Sequence, residues 1–269
     1  MTYAPAMPSP PLKALLWDVD GTLAETERDG HLVAFNQAFE SSGLPWRWSS
    51  EEYGDLLRIT GGRERILHDM AQRRRGPALA NERESLARQV HALKNRLYAQ
   101  IVEHGELPLR EGVRDLLDEC SARDIRLAIV TTTSRANAAA LLRAHWGKDW
   151  AKAFPVTVCG EDVQSKKPDP EAYQRALKEL RLGPLETLAI EDSPGGAAAA
   201  RAADVTVVVA RSRYFADVAF EGVTAIGPGL HTRQGWLPAL PEAPTQPGQV
   251  TLLDLTHWHA TMRTVSHHP

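Results

Sequence analysis

Short apolar runs alternate with helical patterns along most of this chain. Five of these runs have the length and apolar content of buried strands: residues 13–17, 127–130, 156–159, 188–190 and 205–209. Strands that alternate with helices form a parallel sheet with helices packed on its faces. The pattern therefore predicts an α/β fold with a Rossmann-like, doubly wound parallel sheet as its core.

The stretch between the first two predicted strands has a different pattern. Residues 26–107 show several helical patterns and no convincing strand. One apolar stripe at spacings of three and four indicates a long helix: Leu86, Val90, Leu93, Leu97 and Ile101. Because this stretch is too long for a simple crossover, we expect an inserted α-helical cap domain at residues 27–107.

The remaining chain divides into a core and a tail. Residues 1–26 and 108–236 are expected to form the two segments of the core domain, one on each side of the cap. After Trp236, prolines recur at positions 238, 241, 244 and 247, and proline-rich chain favours extended conformations without a packed core. Residues 237–269 are therefore predicted to be a Pro-rich tail that acts as a mobile tether, with at most one short helix at its end.

The composition predicts a soluble globular protein and narrows its possible partners. Of the 269 residues, 43% are apolar and 24% are charged, and the net charge is −3. A nucleic-acid partner needs a clustered basic surface and is not expected, and no apolar run approaches the ~20 residues of a membrane span. Two cysteines are too few for a disulfide framework, and the first 11 residues lack the apolar run of a secretory signal. We expect a monomer with buried thiols in a reducing, cytoplasmic compartment.

Four groups of polar residues stand after predicted strands or just before a helix. They are Asp18 and Asp20 after the first strand, Thr131, Thr132 and Thr133 after the second, Lys167 ahead of a helix, and Glu191 and Asp192 after the fourth. Ligands bind at the carboxyl ends of the strands in open parallel sheets, although turn or cap formation explains each group when it is taken alone. Together they supply a nucleophile, a second acid, a hydroxyl, a cation and an acidic pair suited to Mg²⁺, which is a complete set for phosphoryl transfer.

These groups match, in the same order, the four motifs of the haloacid dehalogenase superfamily, and the chain resembles the phosphatases of that superfamily up to about residue 230. It looks closer still to the CbbY-type phosphatases associated with the Calvin cycle, through residues 24–27, 46–48 and 60–65. The inserted helices resemble the cap domain of that superfamily. Departures from the family pattern are the long tail, Trp17 in place of the usual Phe, and one additional residue between Glu27 and His31.

The resemblance implies a role for each motif residue. Asp18 would attack phosphorus and become an aspartyl phosphate, while Asp20 would act as general acid and then general base. Thr131 and Lys167 would stabilise the transferring phosphoryl group. The expected Mg²⁺ ligands are Asp18, the main-chain carbonyl of Asp20, and Asp192, with Glu191 in support.

The cap sequence suggests how a second anionic group of the substrate would be held. Gly61 and Gly62 permit close backbone approach, and Arg63 and Arg65 offer guanidinium forks for a non-reacting phosphate. We therefore expect a small sugar bisphosphate as substrate, and the CbbY-type resemblance points to xylulose 1,5-bisphosphate.

Further substrate contacts are expected on the long helix and near the motifs. His91 and Lys94 share a helix face with Tyr98, which could lie at the surface or in the substrate cleft. The other expected contacts are Glu27 and Tyr53, suggested by resemblance alone as ligands of sugar hydroxyls, and Thr132 and Thr133 beside the phosphoryl group.

Three other functions fit parts of the pattern. A phosphosugar mutase of the same superfamily would use the same core motifs, and the cap sequence favours the phosphatase. A non-enzymatic binding module is disfavoured because every motif residue is intact. A dehalogenase is disfavoured because Asp20 and the metal ligands would then have no role.

Overall fold

A six-stranded parallel sheet forms the centre of the computed structural model, which describes residues 10–105, 107–241 and 248–265. The strands are β1 (Ala14–Trp17), β2 (Arg126–Val130), β3 (Val156–Val158), β4 (Thr187–Glu191), β5 (Thr206–Ala210) and β6 (Ala225–Gly227). Their order is β3-β2-β1-β4-β5-β6, so the order reverses between β1 and β4, where open α/β sheets bind ligands. The predicted Rossmann-like doubly wound sheet is confirmed.

The five predicted strands are present within one residue at each end, and β6 was not predicted. β6 has only three residues and ends at Gly227, ahead of Pro228, so its sequence resembles a turn rather than a strand. It pairs with β5 at the edge of the sheet. This edge lies far from the switch point, so the omission did not affect the prediction of the site.

A π-helix (Glu27–Leu32) and four α-helices follow the first strand as the inserted cap. The α-helices are α1 (Val33–Ser41), α2 (Ser50–Leu56), α3 (Gly62–Gln72) and α4 (Ala80–Glu103). A π-helix closes each turn over one more residue than an α-helix, so it accommodates the additional residue between Glu27 and His31. As a result His31 is still buried, with its ring against Asp20.

The cap has its own apolar core, and α4 connects it to the sheet. Aromatic rings dominate this core: Phe35, Phe39, Trp46, Trp48 and Tyr53. The most buried face of α4 carries Val90, Lys94, Tyr98 and Ile101, whereas Leu93 of the predicted stripe is only partly buried. The face of α4 that carries Lys94 and Tyr98 therefore points inward. The sequence left open whether this face lies at the surface or in the interior, and the structure places it in the interior.

The remaining helices pack on the two faces of the sheet. They are α5 (Val113–Ala122), α6 (Arg135–Trp146), α7 (Trp150–Ala153), α8 (Glu171–Leu180), α9 (Pro194–Ala202) and α10 (Leu252–Val265). Because successive strand residues point to opposite faces, Leu15 and Trp17 join one apolar cluster and Ala14 and Leu16 the other. Residues of α8 and α9 cover the second face.

The segment after Trp236 differs from the mobile tether that the prolines suggested. Residues 242–247, with two of those prolines, lie outside the described residues. Beyond them Leu255 and Trp258 of α10 are fully buried in the main core, and the rings of Trp236 and Trp258 lie 4.6 Å apart. Arg233 also pairs with Asp254 at 2.8 Å. Burial of these apolar side chains stabilises the packed helix, which the proline count alone could not indicate.

Two further features concern the cysteines and the helices. Cys120 and Cys159 are buried free thiols, and burial raises the pKa of each to about 12. Within the part of the chain that the structure describes, every helix is too short or too polar to span a bilayer.

Candidate active site

Asp18 lies at the carboxyl end of β1, in the middle of the sheet. Its backbone N–H donates to the carbonyl of Ile190 (3.1 Å), which ties the loop after β1 to β4. Lys167 Nζ donates to Asp18 Oδ1 (2.8 Å) and to Glu191 Oε1 (2.6 Å). Its third bond goes to the carbonyl of Val130 (2.7 Å). The lysine therefore connects the ends of β1, β2 and β4 and fixes the position of Asp18.

Burial shifts the pKa values of the charged groups around Asp18. It raises the pKa of the Asp18 carboxyl to about 8, an effect that Lys167 opposes and Glu191 increases. Burial, and then the charge of Asp18, raise the pKa of Asp192 well above its ordinary value. Burial acts to lower the pKa of Lys167, but Asp18 and Glu191 outweigh it, so this pKa lies above its usual range. Three buried carboxylates and one lysine leave an excess of negative charge that a cation would offset.

The three carboxylates fit a divalent metal ion. One oxygen from each of Asp18, Glu191 and Asp192 lies within 4.8 Å of the others, and Mg²⁺ prefers oxygen ligands of this kind. Gly21 makes room for Asp192, because a Cβ at position 21 would lie 2.1 Å from Asp192 Oδ2, and the φ of Gly21 is +86°. Glu191 Oε1 also accepts a hydrogen bond from the Tyr173 hydroxyl (2.5 Å), which suits a supporting role for Glu191.

The second acid, Asp20, contacts residues of the cap. Its Oδ1 accepts a hydrogen bond from Thr26 Oγ1 (2.5 Å) and lies 2.9 Å from His31 Nε2. Lys94 Nζ lies 2.8 Å from His31 Nδ1, so a protonated Lys94 selects the tautomer that donates from Nε2 to Asp20. Burial acts to raise the pKa of Asp20, but His31 and Thr26 outweigh it and hold this pKa below its ordinary value. Asp20 is therefore a carboxylate in this arrangement.

Two adjoining cavities extend from Asp18 into the cap. The smaller, of about 70 Å³, includes Asp18 in its lining, and the larger, of about 130 Å³, lies between the cap and the core. Asp20, Glu27, Arg65 and Thr132 line both cavities, so the two adjoin. The other expected site residues that line one of them are Gly61, Gly62, His91, Lys94, Thr131, Thr133, Lys167 and Asp192.

The position of Lys94 and His91 affects their charge. Burial lowers the pKa of Lys94 to about 8, while Asp20 and Glu27 oppose the shift. Burial, and then the charge of Lys94, lower the pKa of His91 to about 4. The ring of His91 packs against Gly62, where a Cβ would lie 2.8 Å from His91 Nε2. His91 is therefore a neutral side chain of the larger cavity, and Lys94 is the basic group of this helix face.

Tyr53 lies behind the cavities and does not line either of them. Its hydroxyl donates to Glu27 Oε2 (2.5 Å) and accepts from Arg65 Nη1 (2.9 Å). Arg65 is further held by the carbonyl of Ile59 (2.9 Å). The expected contact between Tyr53 and a sugar hydroxyl is not supported by this position, because Glu27 and Arg65 already occupy its hydroxyl. Tyr53 instead orients two residues that do face the cavities.

Arg63 also lies outside both cavities. Its guanidinium pairs with Glu84 Oε1 (3.2 Å) and Glu64 Oε1 (3.3 Å), and 42% of the side chain is exposed. The structure therefore does not support the expected phosphate contact of Arg63. Arg65 lies two residues further along α3. Only 12% of its side chain is exposed, and it faces the site.

The cavities are also lined by residues that no sequence motif indicated, and Lys166 and Asn137 are two of them. Lys166 lines the larger cavity and pairs with Glu64 of the cap (3.2 Å). In the sequence it stands next to Lys167, and the role of Lys167 was enough to explain the two adjacent lysines. Asn137 is buried on α6 and donates to Asn95 of α4 (3.2 Å). No motif indicates Asn137, because its role depends on how α4 crosses α6.

The chain belongs to the haloacid dehalogenase-like hydrolase family, whose model matches residues 12–204. Protein CbbY of Rhodobacter capsulatus is 45% identical over 203 residues, which are 76% of this chain and 87% of the relative. Plasmid-borne Protein CbbY of Cupriavidus necator is 40% identical over 252 residues, which are 92% of this chain and 97% of the relative.

A solved structure agrees with these relatives. A variant of CbbY from Rhodobacter sphaeroides in complex with xylulose-(1,5)bisphosphate superimposes with a TM-score of 0.76 at 36% identity, covering 86% of this chain and 100% of the other. The predicted resemblance is confirmed. The chain is an enzyme, a phosphoric monoester hydrolase of the haloacid dehalogenase type.

Proposed function

We propose that the protein is a Mg²⁺-dependent phosphatase that hydrolyses a small sugar phosphate through a phosphorylated Asp18. The observation that carries this proposal is the placement of Asp18. Its carboxylate lines the smaller cavity, Lys167 holds one of its oxygens at 2.8 Å, and Asp192 is close enough to share a metal ion. A carboxylate in this position can attack phosphorus in line while the leaving oxygen points towards the cap.

The reaction divides into two displacements at phosphorus. In the first, an Asp18 oxygen bonds to phosphorus as the bond to the sugar oxygen breaks. Asp20, which must take up a proton in the substrate complex against its lowered pKa in the free enzyme, gives that proton to the leaving oxygen. In the second, water attacks the aspartyl phosphate, Asp20 takes its proton, and phosphate leaves Asp18. Thr131 and Lys167 stabilise the charge on the transferring group in both steps. The ionised Asp20 held by His31 is ready for the second step.

The acidic cluster supplies the metal site of this proposal. Asp18, Asp192 and the main-chain carbonyl of Asp20 would hold Mg²⁺, with Glu191 behind them. The bound ion supplies positive charge that offsets the repulsion between the Asp18 carboxylate and an anionic phosphate. Glu191 also keeps Lys167 directed at Asp18 through its 2.6 Å contact.

The larger cavity suits a second anionic group on the substrate. Arg65, Lys94 and Lys166 place three basic side chains along its lining. Each already has a partner in the protein, but lysine and arginine carry several N–H donors, and the remaining donors can bind a distal phosphate and the sugar hydroxyls. The complex of the related CbbY with xylulose-(1,5)bisphosphate supports a ketopentose bisphosphate, most simply xylulose 1,5-bisphosphate, as the substrate.

Phosphate release from xylulose 1,5-bisphosphate is expected to require Mg²⁺. Exhaustive chelation should reduce the rate to background, because the excess negative charge around Asp18 would then repel the substrate, and added Mg²⁺ should restore it. The measurement is the release of inorganic phosphate from a panel of sugar mono- and bisphosphates, before and after chelation. Full activity in the chelated enzyme would overturn the metal site, and formation of an isomeric phosphosugar without phosphate release would identify a mutase.

Arg65 and Arg63 provide a matched test of substrate choice, since they lie two residues apart on α3 and only Arg65 lines the cavities. Arg65→Met is expected to lower kcat/KM for the bisphosphate about ten- to a hundredfold, the effect of losing one hydrogen bond to a charged group. The loss should be smaller for p-nitrophenyl phosphate, which offers the cap no second anion. Arg63→Met should stay close to wild type, because exposed ion pairs contribute little.

Steady-state kinetics of both variants on both substrates check this prediction. Equal losses on the two substrates in Arg65→Met would mean that Arg65 only stabilises the cap. A larger loss in Arg63→Met would mean that Arg63 leaves Glu84 to bind the substrate.

A further inference from the structure

Arg110 joins separate parts of the active site from a position outside both cavities. It stands where the chain returns from the cap to the core, and its backbone N–H donates to the carbonyl of Leu23 (2.8 Å). Only 12% of its side chain is exposed. Nη1 donates to the carbonyls of Gly21 and Ala210, and Nη2 donates to that of Arg211. One guanidinium therefore ties the loop after β1 to the end of β5.

These carbonyls belong to two backbone segments that contact Asp192. Gly21 directly follows Asp20, and its backbone packs so closely on Asp192 that a Cβ would lie 2.1 Å from Oδ2. The same Cβ would lie 3.1 Å from the Cβ of Ser212, which directly follows Arg211. Ser212 is buried and hydrogen-bonds to Asp192. A shift of either backbone segment would therefore move the groups that surround the Asp192 carboxylate.

The guanidinium of Arg110 is itself held in place, and its shape suits contact with several carbonyls. Nε lies 3.4 Å from Glu25 Oε1, which holds the guanidinium in place. The fixed fork of a guanidinium can reach several carbonyls at once, whereas a lysine ammonium is a single point of charge on a flexible stem.

We infer that Arg110 is a positioning residue that holds the loop after β1 and residues 210–212 at the separation needed to bind Mg²⁺ between Asp18 and Asp192. The inference rests on the proposed metal-dependent phosphatase. It assigns Arg110 no contact with the substrate, because the side chain lies outside the cavities that the substrate would occupy.

The test is a calorimetric titration of the full-length protein with Mg²⁺. Arg110→Met is expected to weaken Mg²⁺ binding roughly 10- to 100-fold, as the loss of residues that orient metal ligands does. The KM for p-nitrophenyl phosphate at saturating Mg²⁺ should remain near that of the wild type, and kcat at limiting Mg²⁺ should fall. Arg114→Met is the control, because Arg114 also donates to a backbone carbonyl, that of His145 (3.0 Å), but away from the site.

The outcomes separate this inference from the proposed function. Absence of Mg²⁺ binding and phosphatase activity in the wild type would overturn the proposed function. Wild-type Mg²⁺ affinity in Arg110→Met, or a loss equal to that in Arg114→Met, would overturn the role of Arg110 alone. If Arg110→Met does not fold, Arg110→Lys replaces it: an intermediate Mg²⁺ affinity supports the inference, and wild-type affinity overturns it.

Discussion

Replacement of Asp18 by Asn is expected to reduce phosphate release by about 10⁴-fold or more, the scale seen when a nucleophile is removed. An amide cannot attack phosphorus or carry the phosphoryl group. The fold should survive, because Asn has the same shape and removes a charge that burial already disfavours, as the raised pKa of Asp18 shows. The measurements are the rate at saturating Mg²⁺ and the melting temperature.

Asp55→Asn is the matched control for this substitution. Asp55 is an exposed carboxylate of the cap that pairs only weakly with Arg58 (3.0 Å), so both rate and melting temperature should stay near wild type. More than a trace of metal-dependent turnover in a folded Asp18→Asn protein would contradict the assignment of the nucleophile.

Replacement of Lys167 by Met is expected to affect both activity and stability. Turnover should fall by about 10²- to 10³-fold, the effect of losing one donor that stabilises the developing charge. Without metal, the folded state should lose about 3 to 5 kcal/mol, because two buried carboxylates, Asp18 and Glu191, would lose their cation. Kinetics and denaturant unfolding in chelator measure the two effects.

The stability loss in Lys167→Met should depend on pH in a defined direction. The folded-state pKa of Asp18 is already raised from 3.8 to about 8, so the folded protein binds more protons than the unfolded chain between these values, and stability falls as pH rises. Removing Lys167 raises this pKa further, so above about pH 8 the wild type has ionised Asp18 while the folded variant still binds the proton, and the loss should be larger at about pH 9 than at about pH 7. Lys178→Met, on the exposed side of α8, is the control and should show neither effect. A loss independent of pH would contradict the ion pair with Asp18.

The core motifs could be predicted from the sequence because a parallel sheet brings the ends of its strands together. Asp18 and Asp192 each follow a buried strand, and β1 and β4 are neighbours, so their proximity follows from topology. Lys167 required one more assumption, that the residues ahead of α8 return to the same edge. The structure bears this out with a 2.8 Å contact to Asp18.

The cap contacts could not be predicted in the same way, because they depend on helix rotation and on distant partners. Arg63 and Arg65 look alike in the sequence, and only the rotation of α3 separates the one that pairs with Glu84 from the one that faces the site. Arg110 is separated from Gly21 by the whole cap. Trp258 belongs to a segment whose prolines suggested no packed structure, yet its ring packs 4.6 Å from the ring of Trp236.

The most direct test of the phosphatase mechanism is mass spectrometry of the enzyme, quenched in acid during turnover of xylulose 1,5-bisphosphate with Mg²⁺. In the wild type, the peptide containing Asp18 is expected to carry the added mass of one phosphoryl group. The same peptide should carry none in Asp18→Asn or in the chelated enzyme. A wild type that turns over substrate while the phosphoryl group is found on another residue would contradict the assignment of Asp18 as the phosphorylated nucleophile.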